Sequence, residues 1–278
     1  MSEYVKDKVI VITGAGSGFG RLVCEKAGAM GAKLVGADIN PESLAETENL
    51  VRDAGGQMMS QVTDVSDLSQ MKTLVAAAVA AHGRIDVMIN NAGIMPLAFF
   101  ADHEAAADSW HRCIDINIKG VLNGMIAAYD QMMAQSQGQV INLSSIYGNF
   151  PVVGAAVYGA SKTAVNFMSE SLRVESQGKI KVTIIKPTGV PMTNLNSAVV
   201  NPDAAVGIMG QNAIAYTEVF GRLAEGKLTP EETDPNNTGN IMLDPTYIAD
   251  AIIYAINQPW GVSMGDITVR ATGDAYIL

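Results

Sequence analysis

The 278-residue chain predicts a doubly wound α/β fold: a single domain over residues 1–278, with a parallel sheet of about seven strands and helices on both faces. Three observations carry that expectation. Runs of β-branched and aliphatic residues alternate with helical patterns from the N-terminus onward, as in repeated strand–helix units. These runs are continuously apolar, as strands are when helices cover both faces of a parallel sheet. The first run closes on a glycine-rich turn, TGAGSGFG, and the second closes on an acid. No composition break marks a linker, and nothing repeats beyond the βα alternation.

Val9–Thr13 is the first strand. Gly14, Gly18 and Gly20, with Ser17 and Phe19 between them, allow a tight turn and close backbone approach, and residues 21–31 read as a helix whose N-terminal N–H groups suit a pyrophosphate. The second strand, 33–37, ends at Asp38 and Ile39, the distance at which a dinucleotide fold places an acid on the adenosine ribose. Asp38 could instead cap the next helix, since Asn40-Pro41 also looks like a helix start. The third strand, 57–63, leads into Asp64-Val65 and a helix from about 67 to 82; Asp64 either borders the adenine or belongs to that helix start. The fourth, 86–90, runs into Asn91-Ala92-Gly93, which leaves room for a cofactor or is an ordinary Asx turn.

Residues 101–133 read as helical, with Asn117 in the middle; an asparagine there often bonds backbone or water. A fifth strand, 140–143, ends at Ser144 and Ser145. After a Gly/Pro loop, Tyr158 and Lys162 stand at i,i+4 on one helix face. The sixth strand, 181–185, ends in Lys186-Pro187. A helix at 250–257 and a strand at 266–272 close the chain.

The constellation that bears chemistry is Ser145, Tyr158 and Lys162. A phenol with a reference pKa of about 10 is a poor base at neutral pH unless a positive charge favours the phenolate. A unit charge about 4 Å away at an effective dielectric of about 20 is worth roughly 4 kcal/mol, or about 3 pKa units. Lys162 together with an oxidised nicotinamide ring could therefore bring Tyr158 near neutrality, with Ser145 holding the substrate oxygen.

A formal net charge of −10 without any Lys/Arg cluster argues against nucleic acid or an anionic membrane as partner. Cys24 and Cys113 lie far apart in helical patterns and read as buried small hydrophobes, and the three histidines lack zinc-ligand spacing, so no metal is expected. The N-terminus enters a strand at once without a signal peptide, and the uncharged run 131–161 is broken by Gly, Asn and Pro, so no membrane span is expected. A cytoplasmic, reducing location follows.

With these motifs in order, TGAGSGFG, NNAG, the Asn117 segment, Ser145 and YGASK, the chain resembles the short-chain dehydrogenase/reductase family over almost its whole length. The resemblance implies a Rossmann fold, an NAD cofactor and, as is usual in the family, a homotetramer. It implies that Tyr158 is the general acid/base, that Lys162 also holds the nicotinamide ribose, and that Asn117 anchors a water in a proton relay. Ser145 rather than Ser144 matches the family serine, thirteen residues before Tyr158. Gly14, Ser17, Gly18, Phe19, Gly20, Asp38, Ile39, Asp64, Val65, Asn91, Ala92 and Gly93 fall to the cofactor, as do Tyr158, Lys162, Pro187, Val190 and Thr193. There is one departure: where the family has Pro-Gly, this chain has Pro187-Thr188-Gly189. Thr193 is thereby one position late.

Residues 188–244 exceed the usual connection and read as a substrate lid, with helical patterning near 204–224; an oligomer contact is the alternative. Met95, Tyr147, Val153 and Met192, together with Leu97, Phe99, Phe150, Val152 and Leu195, are expected over the nicotinamide with no charged side chain among them. Ser145 and Tyr158 complete the substrate site. The expected substrate is a small-molecule apolar secondary alcohol or ketone such as a sterol, terpenoid or aryl alcohol. An NADPH-dependent 3-oxoacyl-carrier-protein reductase, a small polyol dehydrogenase and a non-catalytic NAD-binding sensor are the alternatives.

Overall fold

A computed structural model describes residues 3–190 and 193–277. Its centre is one seven-stranded parallel sheet in the order β3-β2-β1-β4-β5-β6-β7. The strands are β1 (Val9–Thr13), β2 (Lys33–Asp38), β3 (Gln57–Val62), β4 (Val87–Asn90), β5 (Gly138–Leu143), β6 (Ile180–Pro187) and β7 (Asp266–Val269). The order reverses between β1 and β4, and the carboxyl ends on either side of that switch point form the crevice where such sheets bind ligands.

Helices α1 (Gly18–Ala29), α2 (Pro41–Asp53) and α3 (Leu68–His82) follow the first three strands. α4 (His103–Cys113) and α5 (Val121–Gln135) follow β4, and α6 (Ala156–Glu175) follows β5. Beyond β6 come α7 (Ala213–Ala224), the single turn α8 (Pro230–Thr233) and α9 (Pro245–Ile256). The β1, β4 and β5 side chains divide between two cores. One packs against α1 and α9 through Val23, Ile248 and Ile252, the other against α3 and α5 through Leu74, Val121 and Met125. Among the described residues no helix is long and apolar enough to cross a membrane.

Three expected helices differ. The 101–133 stretch is not one α-helix: Ile114–Gly120 is a π-helical segment between α4 and α5, with Asn117 inside it. The 204–224 stretch is a 3₁₀ segment, Pro202–Asn212, that breaks at Gly210 (φ 48°) before α7. α9 begins earlier than expected because Asp244 accepts from Thr246 N–H at 2.8 Å and Pro245 fits the first turn.

A buried polar line ties the catalytic elements together. Asn90 at the end of β4 donates to Asn142 of β5 at 2.8 Å, and Asn142 donates to Ser169 of α6 at 2.8 Å. Buried side-chain hydrogen bonds of this kind fix register and orientation, because breaking one leaves a desolvated partner. The strand that leads to Ser145 and the helix that carries Tyr158 and Lys162 are thus pinned to each other.

Candidate active site

A cavity of about 500 Å³ opens at the carboxyl ends of the strands. At its cofactor end lie Gly14, Ser17, Gly18 and Phe19, then Asp38 and Ile39, then Asp64 and Val65. Asn91, Ala92 and Gly93 floor it, and Pro187, Val190 and Thr193 close it on the β6 side. Gly20 lies outside the cavity: a Cβ there would sit 2.1 Å from the Gly14 carbonyl oxygen, so its absence lets α1 pack on the turn.

The acid at the end of β2 braces the glycine turn. Asp38 Oδ2 accepts from Gly16 N–H at 2.9 Å and Oδ1 from Asn40 N–H at 3.0 Å, while the cap of α2 is Asn40, which accepts from Ser43 N–H at 2.9 Å. Each carboxylate oxygen has further lone-pair capacity, so Asp38 can accept from ribose hydroxyls as well. Asn91 is also a brace. Its Nδ2 donates to the carbonyls of Thr13 (2.9 Å) and Gly14 (3.1 Å), and the Thr13 hydroxyl accepts from the Asn91 and Ala92 N–H groups at 3.1 and 3.2 Å. Asp64 Oδ1 accepts from both the N–H and the hydroxyl of Ser66, an Asx turn ahead of Asp67, which caps α3.

These residues fit a dinucleotide. Gly14 and Gly18 have positive φ (65° and 52°), and a Cβ on Gly18 would meet no atom within 4 Å, so backbone is bared there toward the cavity. Ser17, at the N-cap of α1, makes no side-chain cap, leaving first-turn N–H groups for a phosphate.

At the other end of the crevice the chemistry-bearing side chains converge. Ser145 caps a short 3₁₀ turn, Ile146–Gly148, its Oγ accepting from Tyr147 N–H at 3.2 Å. The Tyr158 hydroxyl pairs with Ser145. Lys162, one turn along α6, donates from Nζ to the Leu143 carbonyl at 2.9 Å and lies 5.7 Å from the Tyr158 ring centre. Burial lowers the Lys162 pKa to about 8, a nearby Cys113 opposing the shift. Burial also outweighs the Ser145 hydrogen bond at Tyr158 and holds the phenol above its ordinary range. The expected lowering by Lys162 is therefore not supplied by the protein alone: desolvation acts on both groups, and the ammonium is turned to a carbonyl.

Asn117 is fully buried and lies off the cavity wall. Its side chain clamps Ile94 from both sides, accepting from Ile94 N–H and donating to Ile94 carbonyl, each at 2.9 Å, with further contacts to Cys113 Sγ (3.3 Å) and Ser161 Oγ (3.1 Å). These contacts hold the side chain against the loop after β4. Cys113 is buried, as expected, but stands behind the site; burial pushes its thiol up.

On the expected substrate wall, Met95, Leu97, Tyr147 and Leu195 line the cavity, and Met192 lies outside the described residues. Val153 does not line it. Residues 152–155 form a turn, with Ala155 N–H donating to the Val152 carbonyl at 3.1 Å and Gly154 at φ 81°, so Val153 stands at its corner, 70% exposed, while Val152 packs inward, and the Val153 carbonyl rather than its side chain faces Gly207. Phe150 is 62% exposed, and Phe99 packs beside the cavity. Among the lining residues the sequence does not single out are Arg112, one helical turn before Ile116 on the same face, and Tyr276 in the C-terminal tail. Arg112 makes the wall less uniformly uncharged than expected. A helical wheel from Ile116 could have found it; no local signal marks Tyr276.

The family model for short chain dehydrogenases matches residues 8–203, and the chain belongs to that family. It is 34% identical to an oxidoreductase of Listeria innocua over 96% of this chain and 98% of that one. A Burkholderia phymatum short chain dehydrogenase/reductase in complex with NAD superposes with a TM-score of 0.75 at 28% identity, covering 96% of this chain and 90% of that one. A metagenomic short-chain oxidoreductase in complex with NADP gives 0.73 at 25% identity, over 97% of this chain and 99% of that one. The protein is an oxidoreductase of this family, whose structural relatives use either nicotinamide dinucleotide.

Proposed function

We propose that this chain is an NAD-dependent secondary-alcohol dehydrogenase or ketone reductase acting on bulky, largely apolar substrates. The observation that carries the reading is the hydrogen-bonded Tyr158–Ser145 pair, with Lys162 beneath it, opening onto a wall of Ile94, Met95, Leu97, Ile208 and Met209. Burying apolar substrate surface against such a wall gains about 25 cal/mol per Å².

When bound, the nicotinamide dinucleotide supplies the two-electron partner that takes hydride from the carbinol carbon or returns it to the carbonyl carbon. The glycine turn and the first turn of α1 would hold its phosphates, Asp38 its adenosine ribose, and Lys162 its nicotinamide ribose. Tyr158 moves the remaining proton: it donates to the substrate oxygen in reduction and accepts from it in oxidation. Ser145 holds that oxygen, and its hydrogen bond sets the phenol's direction. Asn117 keeps Ile94, and with it the loop after β4, against the site.

Asp38 supports NAD over NADP, since a carboxylate would repel a 2′-phosphate and neither Ile39 nor the glycine turn offers a compensating cation. The segment 188–244 is proposed as the substrate lid, because Ile208, Met209, Tyr216 and Val219 from it line the cavity. A homotetramer is supported by apolar side chains left outward on α6, where Phe167 is 75% and Val174 73% exposed. The reading is tested by scanning NADH production over glycerol, 2,3-butanediol, cyclohexanol, 1-phenylethanol and a hydroxysteroid. Rising kcat/KM along the series is expected, and a flat series or one favouring the polyols overturns the apolar substrate.

A further inference from the structure

The C-terminal tail forms part of the substrate wall. It is held at several points: Ile277 N–H donates to Ile208 carbonyl at 3.3 Å, Asn212 Nδ2 to Ala275 carbonyl at 2.9 Å, and Arg270 to both Asp274 and the Tyr276 carbonyl. These bonds set Tyr276 against Gly189, where a Cβ would lie 1.8 Å from the phenol oxygen. Only a glycine in the segment after β6 leaves room for that hydroxyl.

Tyr276 joins two other phenols inside the cavity. Its ring centre is 5.9 Å from that of Tyr216 on α7, and their hydroxyls are paired. Tyr147 packs in the same cluster, with its ring centre 5.4 Å from that of Tyr158. Burial pushes the pKa of Tyr147, Tyr216 and Tyr276 upward, so all three are neutral hydroxyls at physiological pH. The side chains packed around these three, Ile146, Val152, Ile208 and Met209, are apolar, while Arg112, Asn194, Asn196 and Ser197 also line the cavity. The three hydroxyls therefore form one polar patch in an apolar setting, one ring's width from Tyr158.

A neutral phenol is both donor and acceptor. Paired hydroxyls turn their tips, not their ring faces, toward one another, which suits a ligand oxygen rather than a cation held against ring faces. We infer that the substrate carries a second oxygen, a carbonyl or ether or hydroxyl on the far side of the reacting carbon, which accepts from the Tyr147, Tyr216 and Tyr276 patch. Tyr276 is then a specificity-determining residue delivered by the tail. The inference rests on the ketone-reductase reading above.

The test compares cyclohexanone with 1,4-cyclohexanedione as substrates for NADH-dependent reduction, in wild type, Tyr276→Phe and Tyr147→Phe. Phenylalanine keeps each ring, and thermal melts confirm that the variants fold. Wild type should favour the dione at least tenfold in kcat/KM, beyond the factor of two for its two equivalent carbonyls. Each variant should lower the dione-to-monoketone ratio at least fivefold, with the change in KM rather than kcat. A wild-type ratio near two, or a ratio unchanged in both variants, overturns the second-oxygen patch while leaving the ketone-reductase reading standing. Absence of turnover with either ketone and with every alcohol of the panel overturns that reading, and the patch with it.

Discussion

Lys162 is 5% exposed, its ammonium is held by one carbonyl, and burial takes its pKa from the ordinary 10.5 to about 8. A folded-state value below the unfolded one means that folding disfavours the charged form. At pH 7, below both values, the lysine is protonated in native and unfolded chains alike, and the whole penalty is borne; at about 1.4 kcal/mol per pKa unit it is on the order of 3 kcal/mol. Lys162→Met keeps a long flexible side chain and removes the charge, but leaves the Leu143 carbonyl without its donor, which costs about 1 to 2 kcal/mol. The variant should therefore be more stable than wild type at pH 7 by about 1 to 2 kcal/mol, or roughly 2 to 4 °C in Tm for a chain of this size.

The pH dependence separates this from ordinary repacking. Between about pH 8 and 10.5 the native lysine has released its proton while the unfolded one retains it, so wild-type stability gains from this site as pH rises. The advantage of Lys162→Met should then shrink across that window, vanish at about pH 9 to 10 and reverse at its upper end, where only the cost of the unpaired Leu143 carbonyl remains. Thermal melts of both proteins from pH 6.5 to 10.5, taken as differences so that Lys8 and other shared groups cancel, read the effect directly. A variant less stable than wild type at pH 7, or a difference constant with pH, refutes the reasoning. Activity and NADH affinity should both fall, because the same ammonium is assigned to the ribose.

Tyr158→Phe should lower kcat by about 10² to 10⁴ while NADH binding persists; turnover within tenfold of wild type removes the assignment. Because burial raises the Tyr158 pKa, the phenol is a proton donor through neutral pH. Ketone reduction should stay level from pH 6 and decline only in alkali, while alcohol oxidation climbs with pH; opposite slopes in the two initial-rate profiles would contradict this. Wild type should prefer NAD over NADP by more than about a hundredfold, and Asp38→Ser with Ile39→Arg should move kcat/KM toward NADP; equal cofactor use by wild type refutes the role of Asp38. Asn91→Ala removes donors to the Thr13 and Gly14 carbonyls, about 2 kcal/mol at roughly 1 kcal/mol each. It should lower Tm and weaken NADH binding measured by fluorescence, and an unchanged melt would show that the brace is idle.

What could be read from the chain was whatever depends on local spacing. Val9–Thr13, the glycines and Asp38 lie within one βα unit, and the i,i+4 pair Tyr158 and Lys162 within a single helical turn. What could not be read depends on competition between neighbours. Asn91 has the composition of a cofactor-side turn, yet its amide braces two carbonyls of a strand 78 residues away. Asn117 lies in a π-helical segment that turns its side chain onto Ile94, and no propensity signals that widened turn. Val153 stands at the corner of a turn closed by Ala155 N–H on the Val152 carbonyl, and that turn, with Gly154 at positive φ, leaves its side chain outward.

The departure at Pro187-Thr188-Gly189 belongs to this second kind and has a physical cause. Read as sequence, the threonine only delays the glycine and restricts the backbone. In the fold, Thr188 N–H donates to Val269 carbonyl at 3.2 Å, so pairing with β7 continues one residue further. The next position then lies directly beneath the tail that follows β7. A side chain at 189 would collide with Tyr276, and glycine there admits it. Thr188 and Tyr276, 88 positions later, are two halves of one arrangement: the strand continued through Thr188 carries the tail over the cavity, and Gly189 lets its phenol enter. A shift of this kind trades one backbone constraint for another and leaves Ser145, Tyr158 and Lys162 in place, since Ser145 stands just after β5 and the other two on α6, outside the altered segment.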